Sequence, residues 1–143
     1  MSRLQGFGNQ LIVFHDQLRE QIDVLREDTA SDGKDLLTHC LAFCGALTRH
    51  HTGEDDGAFL VLAEEYPDLR PVLEELARDH LIIAEALQRL EKLAELDPAE
   101  RKRELDTVAA LMETHFTYEE RKLVTALNAL DDDGTGRLAL PFR

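Results

Sequence analysis

Four stretches of this chain repeat their apolar residues at intervals of three and four, and a turn signal closes each one. Residues 3–28 carry Leu11, Leu18, Ile22 and Leu25 and run into TASDG at 29–33. Residues 34–65 carry Leu36, Cys40, Phe43 and Leu47 and end at YPDLRP, 66–71. Residues 70–95 carry Leu73, Leu76, Ile83, Leu87 and Leu90, and residues 98–130 carry Leu105, Val108, Met112 and Leu123 before DDDGTG at 131–136. Such intervals bring side chains back to one face of an α-helix, and no stretch shows the strict alternation of a half-buried strand. Four long amphipathic segments on short loops predict an all-α chain: an up-down-up-down four-helix bundle over residues 1–130, with a C-terminal turn and short tail at 131–143. LDPAE, 96–100, opens the fourth segment with Asp97 as N-cap, Pro98 as first helical residue and Glu100 as the reciprocal capping partner. DDDGTG lacks the later ligands and closing glutamate of a calcium loop and reads as a helix-ending turn. RLALPFR, 137–143, is too short for a further element.

The stripes are not purely apolar. On the first helix His15 falls between Leu11 and Leu18, and on the third His80 falls between Leu76 and Ile83. On the fourth, Met112 leads to His115, Glu119 and Leu123. On the second, RHHTGEDDGAF offers two choices, His50 with Glu54 or His51 with Asp55. Continuing Leu36, Cys40, Phe43 and Leu47 by three and four selects His50 and Glu54. His51 and Asp55 are expected beside them, nearer solvent. A single core histidine is ordinarily structural, satisfied by a backbone carbonyl. Here every helix supplies one, and two supply a carboxylate one turn later. Two buried carboxylates without partners would cost several kcal/mol each, and the stripes hold no inward Lys or Arg. Metal ions remove that cost. Residues i and i+4 lie about 6 Å apart on one face, so a histidine and a glutamate can share one metal or straddle two. Four imidazoles and two carboxylates exceed the needs of one tetrahedral zinc. They suit a two-metal site with bridging carboxylates and two histidines on each metal. The absence of thiolate favours iron or manganese.

Other features narrow the class. A formal net charge of −13 excludes nucleic acid and anionic lipid as partners. There is no run of eighteen apolar residues and no basic-then-apolar leader, so no membrane span is expected and a cytoplasmic location is. Cys40 and Cys44, four apart on a helix, are too far from each other for a disulfide and read as core thiols. The alternative for them is a redox or metal role together with His39.

The order His15, His50-x-x-x-Glu54, His80, His115-x-x-x-Glu119 resembles the hemerythrin-like, or HHE cation-binding, domain. The wording around each histidine agrees: FHDQL, HHTGEDDGAF, DHLIIAEAL and HFTYEERKLVTAL, spread in order over residues 7–130. The resemblance implies a bundle around two iron ions. His15 and His50 would bind one and His80 and His115 the other, with Glu54, Glu119 and an oxo or hydroxo group bridging (Fe–O–Fe). Manganese or a mixed-metal pair is the other occupant this donor set admits. Asp16 and Asp79 read first as exposed charges, and second as hydrogen-bond partners of the neighbouring ligands.

Two departures separate the chain from the oxygen-carrying members, and a third from the family at large. Ala84 stands where those proteins have a fifth histidine; the fourth-helix acid is Glu119, four residues after His115, rather than an aspartate five after; and Leu60 and Thr125 stand six residues after the two glutamates, where the family at large often has proline. The four-His, two-Glu pattern resembles actinobacterial hemerythrin-like proteins associated with peroxide and nitric oxide chemistry. Near-equivalent irons are therefore expected, with dioxygen, hydrogen peroxide and nitric oxide as small ligands and without reversible dioxygen carriage. The implied activity is a catalase-like or nitric-oxide-reactive oxidoreductase. The alternatives are an iron- or oxygen-binding or sensing module without turnover, possessing an acidic surface for a protein partner, and a metal-free structural bundle. Tyr118, next to Glu119, reads as a packing residue or, if close enough to the metals, a catalytic one. Gly53 reads as a close helix contact, a local break beside the site, or a widened entrance. His39 is expected to be solvated, and His51 solvated or beside the ligands.

Overall fold

The computed structural model describes residues 6–30 and 32–131, so the expectations for the DDDGTG turn and the tail fall outside the described residues. The helices are α1 (Phe7–Glu27), α2 (Gly33–Gly53), α3 (Phe59–Glu65), α4 (Arg70–Leu90) and α5 (Pro98–Asp131). Glu54–Ala58 forms a π-helical turn joining α2 to α3, so these three pieces make one rod. Single 3₁₀ turns at Pro67–Leu69 and Leu93–Glu95 lead into α4 and towards α5. Four antiparallel rods in up-down-up-down order result, and no strand occurs among the described residues.

Local chemistry sets the helix ends. Asp32 caps α2, its side chain accepting from the Lys34 backbone N–H at 2.7 Å. The box at the head of α5 is reciprocal as expected. Glu100 N–H donates to Asp97 Oδ1 at 2.8 Å and Asp97 N–H to Glu100 Oε1 at 3.2 Å. The N-terminus of α1 takes its cap from the far end of the chain: Asn128 Oδ1 accepts from Gly8 N–H at 2.8 Å and Asn9 N–H at 3.3 Å. Gly8 permits this closeness, because a Cβ there would lie 2.4 Å from the Val124 carbonyl oxygen. At the opposite end the Arg101 guanidinium donates to the carbonyls of Thr29, Leu93 and Ala94 and ties the α1–α2 loop to the α4–α5 loop.

The apolar core divides in two. One part packs Leu25, Leu36, Phe43, Leu90 and Met112 among others; the second packs Leu11, Phe59, Leu62, Leu76 and Leu123. In chain order, His15 falls between Leu11 and Leu18, and His80 between Leu76 and Ile83, so a polar layer separates the two parts. Cys40 is buried in the first part and Cys44 half-buried beside it, both as free thiols.

Candidate metal centre

His15, His50, Glu54, His80, His115 and Glu119, the six residues expected to point inward, are all buried, and none exceeds 5% exposure. They arrive together because α1, α2, α4 and α5 each place a polar residue at one level of the bundle. His50 Nε2 lies 3.3 Å from Glu54 Oε2, and His80 Nε2 lies 3.2 Å from Glu54 Oε1. His15 Nε2 lies 3.4 Å from Glu119 Oε1, and His115 Nε2 lies 3.6 Å from that same atom. His15 and His50 face each other with 3.1 Å between their Nε2 atoms.

A seventh residue joins them, and it corrects the reading of the HH pair. His51, expected nearer solvent, is buried at 6% exposure. Its ring stacks on His80 with centroids 3.9 Å apart and stands edge-on to His115 at 5.1 Å. The physical reason is angular. Adjacent helical residues differ by about 100°, so two of them can straddle the inward direction. Glu54, four residues beyond His50 and three beyond His51, points between the two. Taking the histidines as alternatives assumed a core seam one residue wide, and the polar layer is wider.

The structure sorts these side chains into two groups of possible ligands, each with its ligand atoms all within 4.8 Å of one another. His15, His50, Glu54 and Glu119 form one; His51, Glu54, His80 and His115 form the other, with Glu54 in both. The layer thus holds five imidazoles. Ala84, the position of the fifth histidine in the sequence comparison, lies exposed on α4.

Three histidines are oriented by carboxylates behind them. The Nδ1 of His15 meets Glu120 Oε2 at 2.7 Å, that of His80 meets Asp55 Oδ1 at 2.9 Å, and that of His115 meets Asp79 Oδ2 at 3.2 Å. A carboxylate accepts, so each Nδ1 donates and leaves the inward Nε2 with its lone pair. Asp79 is therefore a partner of His115 rather than simply an exposed charge. Asp16 is an exposed charge, paired with Arg19 at 2.8 Å. Sequence reasoning missed Glu120 and did not connect Asp55 to His80. The available signal was adjacency: Asp55, Asp79 and Glu120 each stand next to an inward residue and so project towards a neighbouring helix.

The donor set fits a cation on the structure's own evidence. His51 Nε2, His80 Nε2, His115 Nε2, Glu54 Oε1 and both Glu119 oxygens are buried and make no hydrogen bond. Such atoms are costly unless something positive sits among them. Burial, followed by repulsion among the imidazoles, holds His50 and His51 well below the usual histidine range and pushes His80 down to about 3. Burial and the adjacent Glu119 push Glu54 well above the carboxylate range. Burial and Asp56 raise Asp55 to about 6. For Glu120 burial acts upward, but hydrogen bonds from His15 and Arg19 outweigh it and hold the group below its ordinary value. His50, His51 and His80 are thus neutral ligands at neutral pH, and a dication would offset the cost of ionising Glu54.

The remaining candidates lie outside these groups. Tyr118 donates its hydroxyl to Glu75 Oε1 at 2.9 Å at the surface. His39 is exposed, and neither it nor the cysteines belong to a metal-capable group among the described residues. Gly53 immediately precedes the π turn, the local break anticipated as one of its readings. No helix among the described residues is long and apolar enough to cross a membrane.

The family model of the hemerythrin HHE cation-binding domain matches residues 9–127, a span that includes all seven layer residues. Neither a curated protein nor a solved structure matches the chain.

Proposed function

Because this chain belongs to the hemerythrin HHE cation-binding domain family, we propose that it is a non-heme di-iron protein that reacts with small oxidants, hydrogen peroxide and nitric oxide among them. The observation that carries this reading is the pair of buried donor groups joined through Glu54. His15 and His50 would hold one iron, His80 and His115 the other, with Glu54 and Glu119 between them. Iron bound there would supply the one-electron redox chemistry that the protein's own side chains lack.

The residues around the layer prepare it for that task. Glu120, Asp55 and Asp79 fix the tautomers of three histidines and raise their basicity as ligands. The two apolar cores exclude water from both sides. No layer side chain exceeds 6% exposure, which supports ligands of two to four atoms rather than organic substrates.

The fifth imidazole withdraws the ground on which the sequence set reversible dioxygen binding aside, so the experiment must cover that outcome. Protein expressed with ample iron is analysed for metal, then assayed for peroxide loss and mixed as the reduced form with oxygenated buffer in stopped flow. Two irons per chain, rapid peroxide loss and fast autoxidation support the proposal. Two irons without turnover, or an oxygen adduct released intact under vacuum, would make it a binding or sensing module. One tightly held zinc, or no metal, overturns it.

A further inference from the structure

We infer that His51 is itself a metal donor, and that it makes the two metal positions chemically unlike; this rests on the two-metal reading above. Its ring is buried, and its Nε2 makes no hydrogen bond. The residue belongs to a group with Glu54, His80 and His115 whose ligand atoms all lie within 4.8 Å of one another. A histidine kept in a core for packing would satisfy its inward nitrogen with a carbonyl or hydroxyl. This one instead stacks on His80, at 3.9 Å and 12°, inside the donor group that holds the other two imidazoles.

Counting donors then gives two different positions. One offers three imidazoles and the shared Glu54; the other offers two imidazoles, Glu54 and Glu119. The groups behind the histidines differ in the same sense. Glu120, behind His15, is clamped by Arg19 at 3.0 Å. Asp55 and Asp79, behind His80 and His115, pair with no Lys or Arg among the described residues. Arg19 therefore damps the charge that Glu120 lends to His15, while Asp55 and Asp79 lend theirs in full. Imidazole-rich sites favour the later divalent metals, and carboxylate-rich ones are the more permissive. The His51 position should fill first and hold its metal longer. The His15–His50 position should be the weaker and more exchangeable one.

Cobalt(II) titrated into metal-free protein, followed by calorimetry and visible absorption, tests this directly. The wild-type chain is expected to bind two cobalt ions in two distinguishable steps with different spectra. In His51→Leu the tight step should weaken by at least about 100-fold, more than loss of an outer carboxylate ordinarily costs, while the weaker step persists. Unfolding of the metal-free variant is measured alongside. Leu removes a buried nitrogen without a hydrogen bond, so metal-free stability should hold or rise, which a merely structural histidine would not allow. His51→Gln, which keeps a polar group, should also lose the tight step. Two identical wild-type sites, or an unchanged titration of both variants, would overturn the inference while leaving the two-metal reading intact. A wild-type protein that binds no cobalt and no iron would instead bring down that reading, and this inference with it.

Discussion

Inserting an alanine after Asp56 should cost the protein several kcal/mol, although the Asp56 side chain is exposed. Glu54 and Phe59 are both buried, yet five residues apart on an α-helix means about 140° out of phase. The π turn over Glu54–Ala58 absorbs the difference through its wider i→i+5 step. Deleting a residue here would only restore the α register, with Phe59 four and Leu62 seven residues after Glu54; adding one instead turns α3 by about 100° relative to α2. Phe59 and Leu62, now 6% and 0% exposed, would leave the core they share with Leu11 and Leu76. Full burial of each is worth about 1.5–3 kcal/mol, an upper limit of roughly 6 kcal/mol for the pair. Partial repacking returns some of it, leaving a net loss of about 2–5 kcal/mol, a large part of a typical domain's stability. Phe59 also stacks on His80 at 5.5 Å, so metal retention should fall as well. Denaturant unfolding of metal-free protein reads the first effect and elemental analysis the second. Asp56→Ala, which keeps the residue count, is the control and should stay within about 0.5 kcal/mol of wild type. An insertion indistinguishable from that control would show that the turn does not set the register of α3.

Three further outcomes follow from the layer. The metal-free protein should lose stability on acidification below about pH 6.5, the ordinary histidine value. Below that value the unfolded chain takes up protons that buried His50, His51 and His80 refuse, so stability falls on acidification. Glu54 acts in the opposite sense, because its native carboxyl is held above the ordinary carboxylate range and its contribution is lost as pH rises; unfolding across pH 4–8 in chelator reads the acid limb, and stability that rises on acidification below about pH 6.5 would contradict the histidine assignment. Glu54→Gln should leave metal-free stability within about 1 kcal/mol, since the group it replaces is held neutral, yet lower bound metal below two per chain. Asp79→Asn should weaken metal binding about 10–100-fold with the helical content unchanged, measured by competition with a chelator.

What could be read from the chain alone depended on whether its cause was local. The four rods, the Asp97–Glu100 box and the burial of six polar residues follow from intervals within single segments, and the structure has all of them. The Asn128 cap on α1 joins groups 120 residues apart and leaves no trace in either segment. The same holds for Asp55 on His80, Asp79 on His115 and Glu120 on His15, where the partner is chosen by which helix lies alongside. Adjacency to an inward residue narrows such candidates, but Asp16 meets that condition too and pairs with Arg19 at the surface.

His51 failed for a different reason, and the reason explains the shape of the second rod. Arithmetic by threes and fours assigns one residue per turn to the interior. At the metal layer this rod presents His50, His51 and Glu54 inward and Asp55 towards His80. Four of six consecutive residues then serve one centre, which demands a sector far wider than a coiled-coil seam. An α-helix carried on unchanged from Glu54 would next bury positions 57 or 58 and 61 and would turn Phe59 aside. The buried residues are instead Ala58, Phe59 and Leu62, so the face has moved on by one residue. Gly53 immediately precedes that adjustment and Gly57 lies within it. The helical defect and the doubled histidine are therefore one feature. The rod spends extra residues on the metal layer and then recovers its apolar register with a single π turn.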